Sequence, residues 1–311
     1  MRALEASAAR GVRTFAHLAQ FAGIAAAVTL TRWLPTPAIA AATSALATLV
    51  FVSLRSRRRI AIDNVRQALG PGHSDAEVRR IARSSFTSLF LTAMPEAAKL
   101  RPHLTSADGR EWLQRRSPDL AAMFARAKDL HDRTGGCVFV TPHLGNWELL
   151  PDIAAAVGIP LAIVARHLEN PYLERMLRAS RVSTGHLFLA RRQALLPLER
   201  ALRRGHSVGL VADQATIRGV PAPFFGRPAF TTPMPALLAV RERRPIVVVA
   251  CIRIAPMRFD GFLGEPIWPG EGNERAEVVR LTEALNLAME GVIRAHPEQY
   301  LWMHNRWKRY V

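Results

Sequence analysis

Three textures of hydrophobic and polar positions follow one another along the chain. Residues 15–31 (FAHLAQFAGIAAAVTLT) and 38–54 (AIAAATSALATLVFVSL) carry no Asp, Glu, Lys or Arg. Each is near the short end of what spans a bilayer, where roughly 20 apolar residues are wanted. Arg32, Pro35 and Pro37 separate them. The pattern over 64–100 is helical: Ser74, Asp75 and Glu77 make a helix start, and Val78, Ile81, Ser85, Phe86 and Leu89 share a face. Pro102 and residues 105–109 are expected to break it. Beyond that point short apolar β-rich runs (137–141, 161–165, 186–189, 207–212 and 246–254) alternate with helical stretches (147–157, 172–182, 193–204 and 235–243). A last long helix over 274–295 is stopped by Pro297. Near-continuous apolar strands separated by helices predict an α/β fold: a mainly parallel or mixed central sheet flanked by helices, preceded by an N-terminal apolar helical segment that associates with a membrane. The boundary is placed at residue 60, dividing 1–60 from 61–311.

Charge sharpens the reading of the first segment. Arg2, Arg10 and Arg13 precede the apolar pair, and Arg55, Arg57, Arg58 and Arg59 follow it. Three readings fit: a hairpin or single anchor with its basic flanks in the cytoplasm, helices lying in the interface with Arg on anionic lipid, or a signal peptide cut near 40–42. The third fits least well, because the apolar run resumes after the cut and ends in a basic cluster. Two soluble core helices would give the same pattern. Over the whole chain Lys and Arg number 42 against 25 Asp and Glu, a net charge of +17, which favours an anionic partner such as nucleic acid, acidic lipid or an acidic carrier protein. No nucleic-acid-binding module accompanies the charge. The two cysteines, Cys137 and Cys251, sit in apolar runs and read as reduced core thiols, which suits a cytosol-facing domain.

Candidate chemistry concentrates in Thr141-Pro142-His143-Leu144-Gly145-Asn146-Trp147-Glu148, between an apolar strand and a helix. Open α/β sheets place their sites there, off the carboxyl ends of the strands. On a continuous helix, five residues turn about 500°, which leaves His143 and Glu148 about 140° apart. With His143 in the loop and Glu148 in the first helical turn the two can meet, and Gly145 permits the bend. A carboxylate on one imidazole nitrogen would fix the tautomer and leave the other as a base. The same spacing also fits a strand-end histidine and a solvated helix-start glutamate. None of the ten His falls into His-Glu-x-x-His, so no metal site is expected.

The motif His143-x4-Glu148 resembles the hallmark of the glycerolipid-type acyltransferases, and His-Leu-Gly-Asn-Trp-Glu resembles the branch that acylates lipid A. Five more blocks follow in order. Arg166-His167-Leu168-Glu169-Asn170-Pro171 is similar to the family's Arg-x3-Asn-Pro, and 178–185 to its Arg-containing helix end. Ala212-Asp213-Gln214 is similar to Pro-Asp-Gln, with Ala where Pro is usual. Phe224-Phe225-Gly226 with Thr231-Thr232, and residues 297–308 (PEQYLWMHNRWK), complete the set. The resemblance implies a glycerolipid-acyltransferase-like fold, an acyltransferase domain over 61–311 and no cofactor. It implies a reaction in which His143, held by Glu148, takes the proton of a lipid hydroxyl that attacks an acyl thioester, usually on acyl carrier protein. Arg181 and Asp213 match catalytically important positions, and Asn146, Arg166, Asn170 and Gln214 are expected to bind substrate. The acceptor would be a lipid A precursor or related glycolipid. A phosphatidylinositol mannoside or lysophospholipid is the alternative. Anionic membrane lipid is expected as a further partner and nucleic acid is not, and the expected place is the bacterial inner membrane with the catalytic domain facing the cytoplasm.

Overall fold

The fold is that of a computed structural model, in which residues 2–93, 95–165, 168–182, 184–190, 192–217 and 219–308 are described, the side chains of 2–13, 93 and 177–182 excepted. The apolar start forms two helices, α1 (Arg2–Trp33) and α2 (Thr36–Ser53), both long and apolar enough to cross a membrane. Pro35 and Pro37 sit where α2 begins, the position at which a missing N–H costs nothing. Only Ile39, Thr43 and Ala47 of α2 are buried, a stripe at helical spacing, while Leu46, Leu49 and Val52 are exposed. The next helix, α3 (Arg55–Leu69), runs through residue 60, where the sequence placed its boundary.

Helix α4 (Asp75–Ala93) opens with a capping box: Ser74 N donates to Glu77 Oε2 at 2.8 Å, and Glu77 N to Ser74 Oγ at 3.3 Å. Pro102 does not end the helical region as expected. It lies inside α5 (Pro95–Leu104), two residues from the end, where few backbone bonds remain to lose. Buried Leu100 and Leu104, and an ion pair from Arg101 Nε to Asp152 Oδ2 at 2.7 Å, hold that turn. Two helices that the pattern had not resolved follow, α6 (Gly109–Arg116) and α7 (Pro118–Thr134).

The sheet is built from β1 (Val138–Thr141), β2 (Leu161–Ala165), β3 (Leu187–Ala190), β4 (Ser207–Val211), β7 (Ile246–Ala255) and β8 (Arg258–Leu263), in the order β3-β2-β4-β1-β7-β8. The first five are parallel, and β8, unforeseen in the sequence, adds an antiparallel edge. Helices α8 (Leu150–Ala156), α9 (Pro171–Val182), α10 (Leu195–Arg203), α11 (Met234–Glu242) and α12 (Glu274–Ala295) complete the α/β architecture. Alternate residues feed two cores. Val138, Val140, Val208 and Val248 pack with α3, α4, α10, α11 and α12, whereas Phe139, Leu161 and Val247 pack with α7 and α8. Burial on both faces explains the unbroken apolar strands. Cys137 and Cys251 are buried free thiols, and burial pushes Cys137 up to about 11.

The Phe-Phe-Gly block is the turn of a separate hairpin, β5 (Val220–Phe224) with β6 (Arg227–Thr231). Phe225 and Gly226 have φ of 50° and 70°, the left-handed pair that a two-residue hairpin turn requires. Phe225 N donates to Glu290 Oε1 on α12 at 2.6 Å, which fixes this unusual conformation for a side-chain-bearing residue.

Candidate active site

Thr141 and Val211 end β1 and β4 and are partners in the register of these two neighbouring strands. His143 and Asp213 each lie two residues further on, so the sheet delivers both to one point at its carboxyl edge. His143 Nδ1 is 2.6 Å from Asp213 Oδ1, and the His143 backbone N–H donates to Asp213 Oδ2 at 2.8 Å. The carboxylate thus grips ring and main chain together. The other ring nitrogen, Nε2, faces the side-chain amide of exposed Gln214 at 3.3 Å. Burial alone would push the His143 pKa down, but the charge and hydrogen bond of Asp213 outweigh it, with Glu148 adding to them, and the net direction is upward. Burial likewise pushes Asp213 up, and His143, its backbone N–H and nearby Arg306 more than reverse this, holding the carboxyl below its ordinary range. A neutral imidazole that donates Nδ1–H to Asp213 keeps the Nε2 lone pair for a proton in the cleft.

The partner differs from the one the spacing suggested. Glu148 is exposed in a 3-10 turn (Trp147–Leu149) before α8, and among the described residues no hydrogen bond joins it to His143. It acts on the ring through charge alone. The bend is as expected: Gly145 has φ +60°, and a Cβ there would lie 2.0 Å from the Cys251 carbonyl oxygen.

Behind the loop lies a buried polar network that sequence reasoning missed. Glu96 of α5 is 1% exposed and pairs with Arg253 of β7 at both carboxylate oxygens, 2.5 and 2.6 Å. Asn146 Nδ2 donates to the same Glu96 at 2.6 Å, and Asn146 N to Cys251 O at 2.7 Å. Arg253 also reaches Ser88 Oγ at 2.9 Å and Thr92 Oγ1 at 3.1 Å, and Thr92 Oγ1 donates to Gly145 O at 2.7 Å. The one signal was Arg253 itself, a lone charge inside an apolar strand. The closing segment supplies the remaining walls. Leu301 N donates to His143 O at 3.0 Å, Ala215 N donates to His304 Nε2 at 3.1 Å, and Gln299 brackets Arg253 on both backbone groups at 2.9 Å. Buried Tyr300 faces Asp213, and burial together with that carboxylate keeps its phenol well above the ordinary range.

Beside His143 an apolar cavity opens between the sheet and α7 and α8. Trp147 stands at 70° to the imidazole with ring centroids 5.1 Å apart, and also lines the cavity. Phe139, Leu150, Ile163, Gly209 and Val249 continue its walls, enclosing about 600 Å³ of empty space, the mouth included. A family model for bacterial lipid A biosynthesis acyltransferases matches residues 9–309. The chain belongs to that family. No individual curated protein matches it.

For this lipid acyltransferase the structure brings together His143, Asp213 and Gln214, with Glu148 at the rim. Two residues expected to bind substrate are engaged within the protein itself. Asn146 is fully buried, its amide on Glu96, and so shapes the loop. Asn170 is also buried. It caps α9 by accepting from Tyr172 N and Leu173 N at 3.0 and 3.3 Å, and clasps α1 through His17 O at 2.8 Å. Arg166 lies outside the described residues. Arg181 belongs to α9, and its side chain lies outside them too. Asn64, on α3, donates from Nδ2 to the carbonyls of Trp302 and His304, both at 2.8 Å, which ties the helical start to the closing segment.

Proposed function

We propose that the enzyme transfers an acyl group from a thioester, carried by acyl carrier protein, to a hydroxyl of a lipid A precursor, with His143 as general base. The observation that carries this reading is the His143–Asp213 pair, set two residues beyond Thr141 and Val211, which with Trp147 line an apolar cavity. The acceptor O–H gives its proton to His143 Nε2, displacing Gln214 from that nitrogen. The oxygen attacks the thioester carbonyl carbon, the tetrahedral intermediate collapses, and the C–S bond breaks. The thiolate then takes the proton from Nε2, leaving an ester and a free thiol. Asp213 holds the tautomer and stabilises the imidazolium, and Glu148 adds negative charge in the same sense. By the family resemblance we assign Arg181 to the developing oxyanion and Arg166 to an acceptor phosphate. Purified enzyme incubated with acyl carrier protein thioesters and a panel of lipid A precursors, phosphatidylinositol mannosides and lysophospholipids, read by mass spectrometry, tests the assignment. Turnover of the last two alone would move the acceptor class.

We assign the apolar cavity to the acyl chain. A Cβ at Gly209 would meet Ile163 Cγ1 at an ordinary 3.5 Å, so small side chains fit without strain. Gly209→Ala should therefore fold and shorten the preferred chain. Each methylene excluded from the cavity should cost about fourfold in kcat/KM, from about 0.8 kcal/mol per buried CH₂. An unchanged chain-length profile would remove the cavity from the donor site.

We place α1 and α2 in or on the inner membrane, with the catalytic domain on the cytoplasmic side. The exposed apolar faces of both helices and the basic start of α3 support this. Deleting residues 1–54 should weaken membrane association while leaving some turnover on detergent-dispersed substrate. High salt should release a peripheral form but not a spanning one. Digestion of the C-terminal domain by protease added to intact spheroplasts would reverse the topology.

A further inference from the structure

Helix α4 shows two faces. Val78, Ile81, Ala82, Ser85 and Phe86 are buried in the core, whereas the adjacent Arg79 and Arg80, and Arg83 one turn on, stand exposed beside α2. Together they edge an open groove of about 1440 Å³ between α2 and α4, floored by hydroxyl groups that include Ser84, Thr87 and Ser88. Arg79 and Arg80 make no hydrogen bond or ion pair within 4.0 Å among the described residues, and Arg83 bonds only the Thr48 hydroxyl, at 3.0 Å. Arg253 at the floor is neutralised by Glu96, and Glu298 is the carboxylate on the lining, so the groove stays net positive. Asp75 and Glu77, at the start of α4, are bonded to Arg66 and Ser74.

A second trough shares Ser44 and Arg83 with the groove and runs along one face of α2: Ala41, Ala45, Thr48, Leu49 and Val52. These positions fall at helical spacing, small residues making the hollow and exposed apolar ones its outer wall. Guanidinium groups beside hydroxyl donors suit a phosphate, and an apolar track leading away from them suits a hydrocarbon chain. We propose that this groove binds the headgroup phosphate of an anionic bilayer phospholipid, with an acyl chain laid along α2, at a site separate from the acyl-transfer cleft. The inference rests on the membrane association proposed above.

Vesicle flotation tests it, using full-length enzyme and vesicles of phosphatidylcholine with or without phosphatidylglycerol. The wild type should partition more strongly onto vesicles containing phosphatidylglycerol. Arg79→Ala/Arg80→Ala/Arg83→Ala should lose that preference by roughly 100-fold, at about 1 kcal/mol for each basic residue near an anionic surface. Its turnover on detergent-dispersed substrate should persist. Arg79→Ala/Arg80→Ala, which leaves the Arg83–Thr48 bond in place, should show a smaller loss in the same direction. A charge-matched control, Arg133→Ala/Arg204→Ala/Arg275→Ala, removes exposed arginines at the end of α7, just after α10 and at the start of α12, none of which lines the groove, and should change partitioning little. Equal losses in the two triple variants would mean diffuse charge and overturn the site. Wild-type enzyme that floats equally on both vesicle types would overturn the groove and leave membrane association standing, whereas failure to float on either would overturn both. Thermal protection by inorganic phosphate at matched ionic strength, with vesicle binding unchanged in the arginine triple variant, would assign the groove to a soluble anion and overturn the lipid assignment.

Discussion

Replacing His143 with alanine should lower kcat/KM by about 10²–10⁴-fold with the fold intact, the range for loss of a general base. The companion substitution, Asp213→Asn, separates orientation from mere packing through its pH profile. A general base must be unprotonated to act, and the acid limb of kcat/KM reports its pKa in the free enzyme. In the wild type Asp213 raises the His143 pKa against the opposing effect of burial, so activity should fall on the acid side with a midpoint above the ordinary 6.5. With the carboxylate gone, burial remains as the main influence, and the midpoint should move to lower pH while kcat drops. Glu148→Gln should move the midpoint in the same direction by less, because Glu148 contributes charge without a hydrogen bond. A larger shift from Glu148→Gln than from Asp213→Asn would return the histidine's partner to Glu148.

Removing Glu96 should have the largest effect on stability. The Arg253 side chain is only 11% exposed, and Glu96→Ala leaves it without its carboxylate and takes the acceptor from Asn146. Breaking one side of a buried pair costs about 3–5 kcal/mol, so denaturant unfolding should show a loss of that size. The paired change Glu96→Leu/Arg253→Met should recover much of the stability, since buried ion pairs are often replaceable by apolar groups of similar volume. It should not recover full turnover, because Thr92 and Asn146 would no longer be tied to the network behind Gly145 and His143. Full activity in the stable double variant would show that the loop keeps its shape unaided.

Local chemistry made much of the fold readable along the chain. Periodicity placed the five parallel strands and the long helix α12 to within a few residues, because a strand buried on both faces must be apolar throughout and a surface helix must not. Ser74 with Asp75 and Glu77 announced a helix start, which the structure closes as a capping box, and Gly145 a bend that only glycine could make against Cys251 O. Family motifs reached Asp213 without saying what it touches. Pairing of distant segments was beyond that reading. His143 and Asp213 lie 70 residues apart and meet because β1 and β4 are neighbours in the sheet and end in register, a fact of strand order that no local spacing encodes. Asn146 and Asn170 were expected to bind substrate only through the family motifs in which they stand. Only tertiary packing turned them inward, onto Glu96 in one case and onto α1 and the start of α9 in the other. A sequence specifies which groups must be satisfied when buried, and three-dimensional packing decides which groups are buried and who satisfies them.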